Sequence, residues 1–319
     1  MKPSTPIPAA SSLQNSPLTG ILFKLVSVLV FIVMSALIKA TGGAIPAGET
    51  VFFRSAFAIP VILGWLAWRR ELGQGLRVTN PMGHVWRGVV GTSAMGFGFA
   101  GLVLLPLPEV TAIGYASPLL VVIFAAMFLG EEVRAFRLSA VALGLAGVLI
   151  VLSPRLGAVG ESGHREALGA MLVLMGALCA ALAQVFIRKL VATERTSAIV
   201  FWFSITSTLL SLITIPFGWV MPTPTEAALL VATGLLGGVG QILLTSSYRY
   251  ADASIVAPFD YASMIFALLI GYFVFDEVPT LVMLAGATLI ILAGVMIIWR
   301  ERQLGLKRAA QRKVMTPQG

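Results

Sequence analysis

Apolar residues along this chain come in long blocks separated by short polar junctions. A block of about 20 such residues, rising 1.5 Å per residue as a helix, spans roughly 30 Å of hydrocarbon. Ten blocks meet that length, at about 21–40, 48–69, 84–105, 108–130, 136–153, 166–188, 197–217, 226–247, 252–275 and 279–299. They predict an all-α polytopic membrane protein with ten transmembrane helices. The PLPEV and YADAS junctions are so tight that the helices flanking them must form hairpins.

One block differs from the rest. From Tyr250 to Val278 the chain is apolar enough to cross a membrane, yet it carries Pro258, Asp260 and Tyr261 well inside. An equally long stretch, Leu105 to Val133, has the same plan: a polar entry, an apolar run holding an aromatic residue and a proline, and an acidic ending. The two are offset by 145 residues, which also sets Lys39 against Gln184, Tyr115 against Asp260 and Glu132-Val133 against Glu277-Val278. The chain therefore divides into a polar tail (1–20), a five-helix repeat (21–153), a linker (154–165), a second five-helix repeat (166–299) and a basic tail (300–319). Five crossings leave the chain on the opposite side, so the second repeat is inverted. Inverted repeats are the plan of secondary transporters, whose substrate sites lie near the midplane between the halves.

Composition agrees with this picture and narrows it. Charged residues make up 11% and hydrophobic ones 58% of 319 residues, too little polar surface to cover a soluble domain. A net charge of +8 would point to nucleic acid in a soluble protein. Here the basic residues fall in short loops and the C-terminal tail, so they orient helices and touch lipid headgroups instead. With the N-terminus in the cytoplasm, only Lys24, Lys39, Arg54, Arg155 and Arg165 of the 22 lysines and arginines fall elsewhere. That bias places both termini inside, in a cytoplasmic membrane. The first block is longer than a signal core and contains Lys24, which predicts a retained first helix. Cys179 is the only cysteine, and it reads as a small packing residue.

Several stretches resemble the drug/metabolite transporter superfamily, and within it the ten-helix EamA-type transporters. The resemblance covers roughly residues 21 to 300. It rests on the FLGEEV ending of the fourth helix, APFDYASMIFALLIGYFVFDEVPT in the ninth, the AGV near the end of both halves, and ETVFFRSAF opening the second. It implies movement of small metabolites such as amino acids, nucleotide-like compounds, vitamins or drugs, in either direction. The ninth helix is similar to the branch containing S-adenosylmethionine and riboflavin carriers.

Ionisable groups within a bilayer cost about 2.5 to 3.5 kcal/mol on insertion scales, so they face a cavity or a partner. Asp260 is the leading candidate for substrate binding and for exchanging a coupling proton. Tyr115 shares a helical face with Thr111 and Pro118 and offers an apolar ring with a polar tip. Tyr261 points about 100° away from Asp260. Gln184, Gln241 and Met95 are further cavity candidates, although amides also bond helix to helix without any transport role. Lys39 is expected to contact Glu49 across the loop, leaving Arg54 to seek another acceptor such as an anionic substrate. The glycines at 96, 98 and 101 fit a dinucleotide pattern, but no strand precedes them and close helix packing explains them. No metal-binding or nucleophile motif is present, and no cofactor is implied. A membrane enzyme, a channel and a scaffold are the competing classes; each lacks a supporting pattern in the sequence.

Overall fold

Proline positions explain where the long helices break. The computed structural model describes residues 17–129, 135–156, 161–191, 193–251 and 256–315. Its helices are α1 (Pro17–Ala40), α2 (Ala47–Ala56), α3 (Ala58–Trp68), the single turn α4 (Leu72–Gly75), α5 (Pro81–Leu104), α6 (Leu107–Gly114), α7 (Ala116–Leu129), α8 (Ala135–Leu156), α9 (Glu161–Val191), α10 (Thr196–Leu212), α11 (Pro224–Tyr250), α12 (Ala262–Phe275) and α13 (Leu281–Met315). The second and fourth predicted segments are each two helices, divided at Phe57 and at Tyr115. A proline clashes with the carbonyl four residues earlier and cannot donate to it. Pro60 and Pro118 stand four residues beyond Ala56 and Gly114, where α2 and α6 end. Pro154 sits inside α8, where the Ser153 hydroxyl donates to the Ile150 carbonyl that the proline cannot reach.

Caps fix the other boundaries. Asn80 accepts from the Gly83 N–H ahead of α5, and Thr223 with Glu226 forms a reciprocal capping box ahead of α11. At the end of α12, Asp276 turns left-handed (φ 54°), and the Glu277 N–H returns to the Gly271 carbonyl.

Among the described residues, eight helical spans are long and apolar enough to cross a membrane, and the shorter apolar stretches Thr196–Leu212 and Phe259–Phe275 bring the total to ten. Three expectations change at the edges. The first helix begins at Pro17 rather than at 21. The ninth segment enters through a 3-10 turn, Ala257–Tyr261, before α12. The last helix runs on to Met315, through most of what was expected to be a separate tail. Glu131, Glu132 and most of the 1–20 tail lie outside the described residues.

Packing has the exchange symmetry that an inverted repeat requires. The most extensive interfaces join α1 to α11, α5 to α9, and α8 to α13. The first two pair the first segment with the eighth and the third with the sixth, equivalent pairs under the repeat. The last joins the fifth segment to the tenth across the pseudo-axis. A Cβ on Gly147 of α8 would lie 2.8 Å from the Ile290 side chain and 2.9 Å from the Gly286 carbonyl oxygen of α13. One on Gly286 would lie 2.6 Å from the Val151 side chain. Small residues here let two backbones approach closely, which drives association where both helix and lipid are apolar.

Gly147→Leu and Gly286→Leu should therefore each cost about 1–3 kcal/mol through overpacking. Gly64→Ala on α3, with open space around it, should be neutral or stabilising by up to about 1 kcal/mol. Thermal melting of the detergent-purified variants checks both, and equal melting of all three proteins would contradict the packing assignment.

Candidate functional site

The carboxylate singled out in the sequence has a buried partner on another helix. Lys24, seven residues along α1 and so about 10 Å from its start, places Nζ 2.7 Å from Asp260 Oδ1. The two sides of the pair differ sharply in exposure. The Lys24 side chain is 2% exposed and that of Asp260 is 44%. A fully buried ammonium thus holds a carboxylate that is itself nearly half exposed. The pair also links the halves, since α1 belongs to the first repeat and Asp260 to the second.

Tyr115 and Tyr261 are set against each other beside this pair, with ring centroids 5.0 Å apart in an edge-to-face arrangement. Both are buried. The Tyr115 hydroxyl lies 2.5 Å from Ser263 Oγ and donates to the Tyr261 carbonyl at 3.3 Å, while the Ser263 hydroxyl bonds the Asp260 carbonyl at 2.6 Å. The break after α6 and the 3-10 turn before α12 therefore meet, and the two rings brace the backbone that carries Asp260. In this conformation they serve as packing behind the carboxylate rather than as open cavity wall.

At the far end of α1, Lys39 does not reach Glu49. Its Nζ lies 2.8 Å from Glu277 Oε1 and donates to the Leu105 carbonyl at 2.6 Å. Glu277 Oε2 accepts the Leu107 N–H at 2.8 Å. The lysine brings an ammonium and the start of α6 an N–H without a helical partner, and the left-handed Asp276 turns Glu277 back into position to accept from both. Glu49 is buried and accepts the Val220 N–H at 3.1 Å instead. At the same end of the bundle, Arg155 of α8 forks onto Glu109 at 2.6 and 2.9 Å and reaches Glu166 at 2.5 Å. Such bidentate pairs are directional as well as strong. Helices from both halves are thus tied together at the Lys39 end.

The other sequence candidates are dispersed. Gln184 is exposed and donates to Ser117 Oγ at 3.3 Å. Thr111 is half-buried and bonds the Leu107 carbonyl within its own helix. Gln241 is half-buried, and Met95 packs against the apolar cluster around Met34, Phe99 and Ala267. Arg54 is buried beside the Phe203 ring.

Sequence reasoning passed over Lys24 and Arg87, which was counted as an inner-face charge, and it took Glu277 for a plain helix boundary. Lys24 had a usable signal, a charge one third of the way into an apolar helix. That is the same depth criterion that singled out Asp260.

Comparison with known proteins accords with this geometry. The profile of the EamA-like transporter family matches residues 18–153 and 167–300, once for each repeat. A pseudopaline exporter of Pseudomonas aeruginosa is 34% identical over 280 residues, covering 86% of this chain and 94% of its own length. A riboflavin transporter of Rhizobium johnstonii is 30% identical over 268 residues, covering 83% and 85%. An S-adenosylmethionine uptake transporter of Rickettsia bellii is 28% identical over 270 residues, covering 85% and 90%. One solved crystal structure matches the fold with a TM-score of 0.64 at 23% identity, over 89% of this chain and 98% of that one.

If Lys24 and Asp260 form one unit, their substitutions cannot act independently. Lys24→Met, Asp260→Asn and the double variant, compared by thermal melting, should be non-additive by about 1 kcal/mol or more, with the double variant losing less than the sum of the singles. Additive losses would show that the pair is not coupled.

Proposed function

The chain belongs to the EamA-like transporter family, and from that premise we propose that this small-metabolite transporter works by rocking its two inverted halves about the Lys24–Asp260 ion pair, in a cytoplasmic membrane with both termini inside. The observation that carries the proposal is the asymmetry of that pair, a buried ammonium facing a carboxylate whose side chain is 44% exposed. A carboxylate held in that way can exchange Lys24 for a proton or for a donor group on a substrate. Either exchange weakens a contact between the halves, which is what a coupled carrier requires.

With the termini inside, the Lys39 end faces outward. The Lys39–Glu277 and Arg155–Glu109–Glu166 contacts then close the outer side while Asp260 stays open. This corresponds to an inward-facing state. Outward opening requires those largely buried ion pairs to part, with water or substrate replacing the partners they lose.

The proton is the coupling ion of choice, because Asp260 is a titratable group at the junction of the halves. The substrate is a small organic metabolite with at least one hydrogen-bond donor or cationic group for Asp260. The names of the relatives supply the first panel to try: S-adenosylmethionine, riboflavin and pseudopaline. Both an exporter and uptake transporters occur among them. The direction of transport follows from whichever gradient drives the exchange.

Reconstituted in vesicles, the protein should move a member of such a panel faster under an imposed pH gradient. Asp260→Asn should abolish that dependence, cutting gradient-driven flux at least tenfold while the protein still folds. Unchanged proton coupling in Asp260→Asn would refute the assignment of the carboxylate.

A further inference from the structure

Two arginines, one on α2 and one on α5, are buried with no ion-pair partner among the described residues. Arg54 on α2 is 2% exposed and Arg87 on α5 is 6%. In both, Nε and Nη1 lack any hydrogen-bond partner among the described residues. Both guanidiniums lie by the ring of Phe203 on α10, their carbons 5.5 Å (Arg54) and 3.9 Å (Arg87) from its centroid. An aromatic face attracts a cation but accepts no in-plane hydrogen bond, so Nε and Nη1 of each guanidinium stay unused.

Among the described residues, no carboxylate forms an ion pair with either of them. The buried acidic residues among those described are Glu49, Glu109 and Glu194. Glu49 is committed to the Val220 N–H, Glu109 to Arg155, and Glu194 to the Thr79 and Asn80 N–H groups. Arginine does not escape by losing its proton. Two cations sharing one ring in an apolar interior repel each other and forgo their hydrogen bonds. An anion seated between them would offset both costs.

The surroundings are shaped to hold guanidiniums. A Cβ on Gly91 would collide with Arg87 Nη1 and lie 2.8 Å from Phe203, and one on Gly237 of α11 would lie 3.1 Å from Arg54 Nε and 3.4 Å from Met34 Sδ. Glycine at both positions leaves the space the arginines use. Met34 and Gly237 belong to α1 and α11, so Arg54 points from α2 toward the helices that also carry Lys24 and Gln241.

We propose that Arg54 and Arg87 form a buried oxyanion site that receives a carboxylate or phosphate group of the transported metabolite. The bidentate match between a guanidinium fork and two oxygens of such a group supplies the missing acceptors. The substrate class narrows to metabolites that carry an anionic group at one end and a donor or cation for Asp260 at the other. Phe203 lies against both guanidiniums, so its ring would have to turn aside to admit the anion. This inference rests on the transport mechanism proposed above.

The test is thermal melting of the full chain purified in detergent, in sodium chloride and in sodium acetate, succinate or inorganic phosphate at equal ionic strength, with acetamide as the uncharged control. At least one oxyanion should raise Tm by several degrees and acetamide should not, as ligand binding to the folded state requires. Acetate or succinate outperforming phosphate assigns the site to carboxylates, and the reverse order assigns it to phosphoryl groups. Arg54→Gln and Arg87→Gln should lose the shift, whereas general salt stabilisation would persist in them. Should a glutamine variant fail to fold, Arg54→Lys and Arg87→Lys keep the charge without the fork and should show a smaller shift than the wild type. The absence of any oxyanion-specific shift, or its full retention in the variants, overturns the proposal. The two proposals fail separately: an oxyanion shift without vesicle flux counts against transport, and flux of uncharged metabolites with no shift counts against the anion site.

Discussion

Charge buried in an apolar bundle is the constraint on which the rest of this structure depends. With so few ionisable residues inside, each one demands either a partner or a function. Lys24 takes Asp260, Lys39 takes Glu277, and Arg155 takes Glu109 and Glu166. Each of these contacts joins separate helices, and the first two join opposite repeats. In lipid the hydrophobic effect does not drive helices together, because lipid tails are as apolar as the side chains, so close packing and polar contacts must do so. Glycine contacts such as Gly147 against Gly286 set close pairs, and the ion pairs decide how those pairs stand relative to one another.

The halves therefore share two kinds of interface with different consequences. Where α8 meets α13, backbones touch through glycine and the contact has no polar release. Across the Lys24–Asp260 and Lys39–Glu277 pairs, protonation or a competing ligand can break the contact. A carrier needs both kinds. In the proposed cycle one interface would act as a fixed seam while the other parts and reforms with load, and the proline-set breaks at Phe57 and Tyr115 divide two of the helices into shorter pieces. The small-metabolite transporter activity shared by the family fits that division of labour.

Much of the fold was legible in the sequence because hydropathy and helix length are local properties. Ten apolar blocks and their inversion follow from counting residues, and Pro60 and Pro118 could have located the helix breaks as well. Partner choice was less legible because it depends on how helices turn toward one another. Glu49 stands nearer Lys39 in the chain than Glu277 does, yet the left-handed turn at Asp276 and the free N–H of Leu107 bring Glu277 to the lysine. Tyr115 and Asp260 were recognised as repeat-related positions, and they do meet, although through the Tyr115 hydroxyl and the backbone beneath the carboxylate. Arg87 had been counted as an inner-face charge. Only the packed structure places it against Phe203 together with Arg54.

If the halves rock about the Lys24–Asp260 pair, the Lys39–Glu277 closure must open for each turnover. The most direct test of that opening places Lys39→Cys and Glu277→Cys together in a Cys179→Ala background, where no other cysteine remains. Metabolite flux in vesicles is then measured before and after treatment with a short bis-maleimide. The account predicts that cross-linking stops flux while a monofunctional maleimide does not. Continued flux through the cross-linked protein would contradict it.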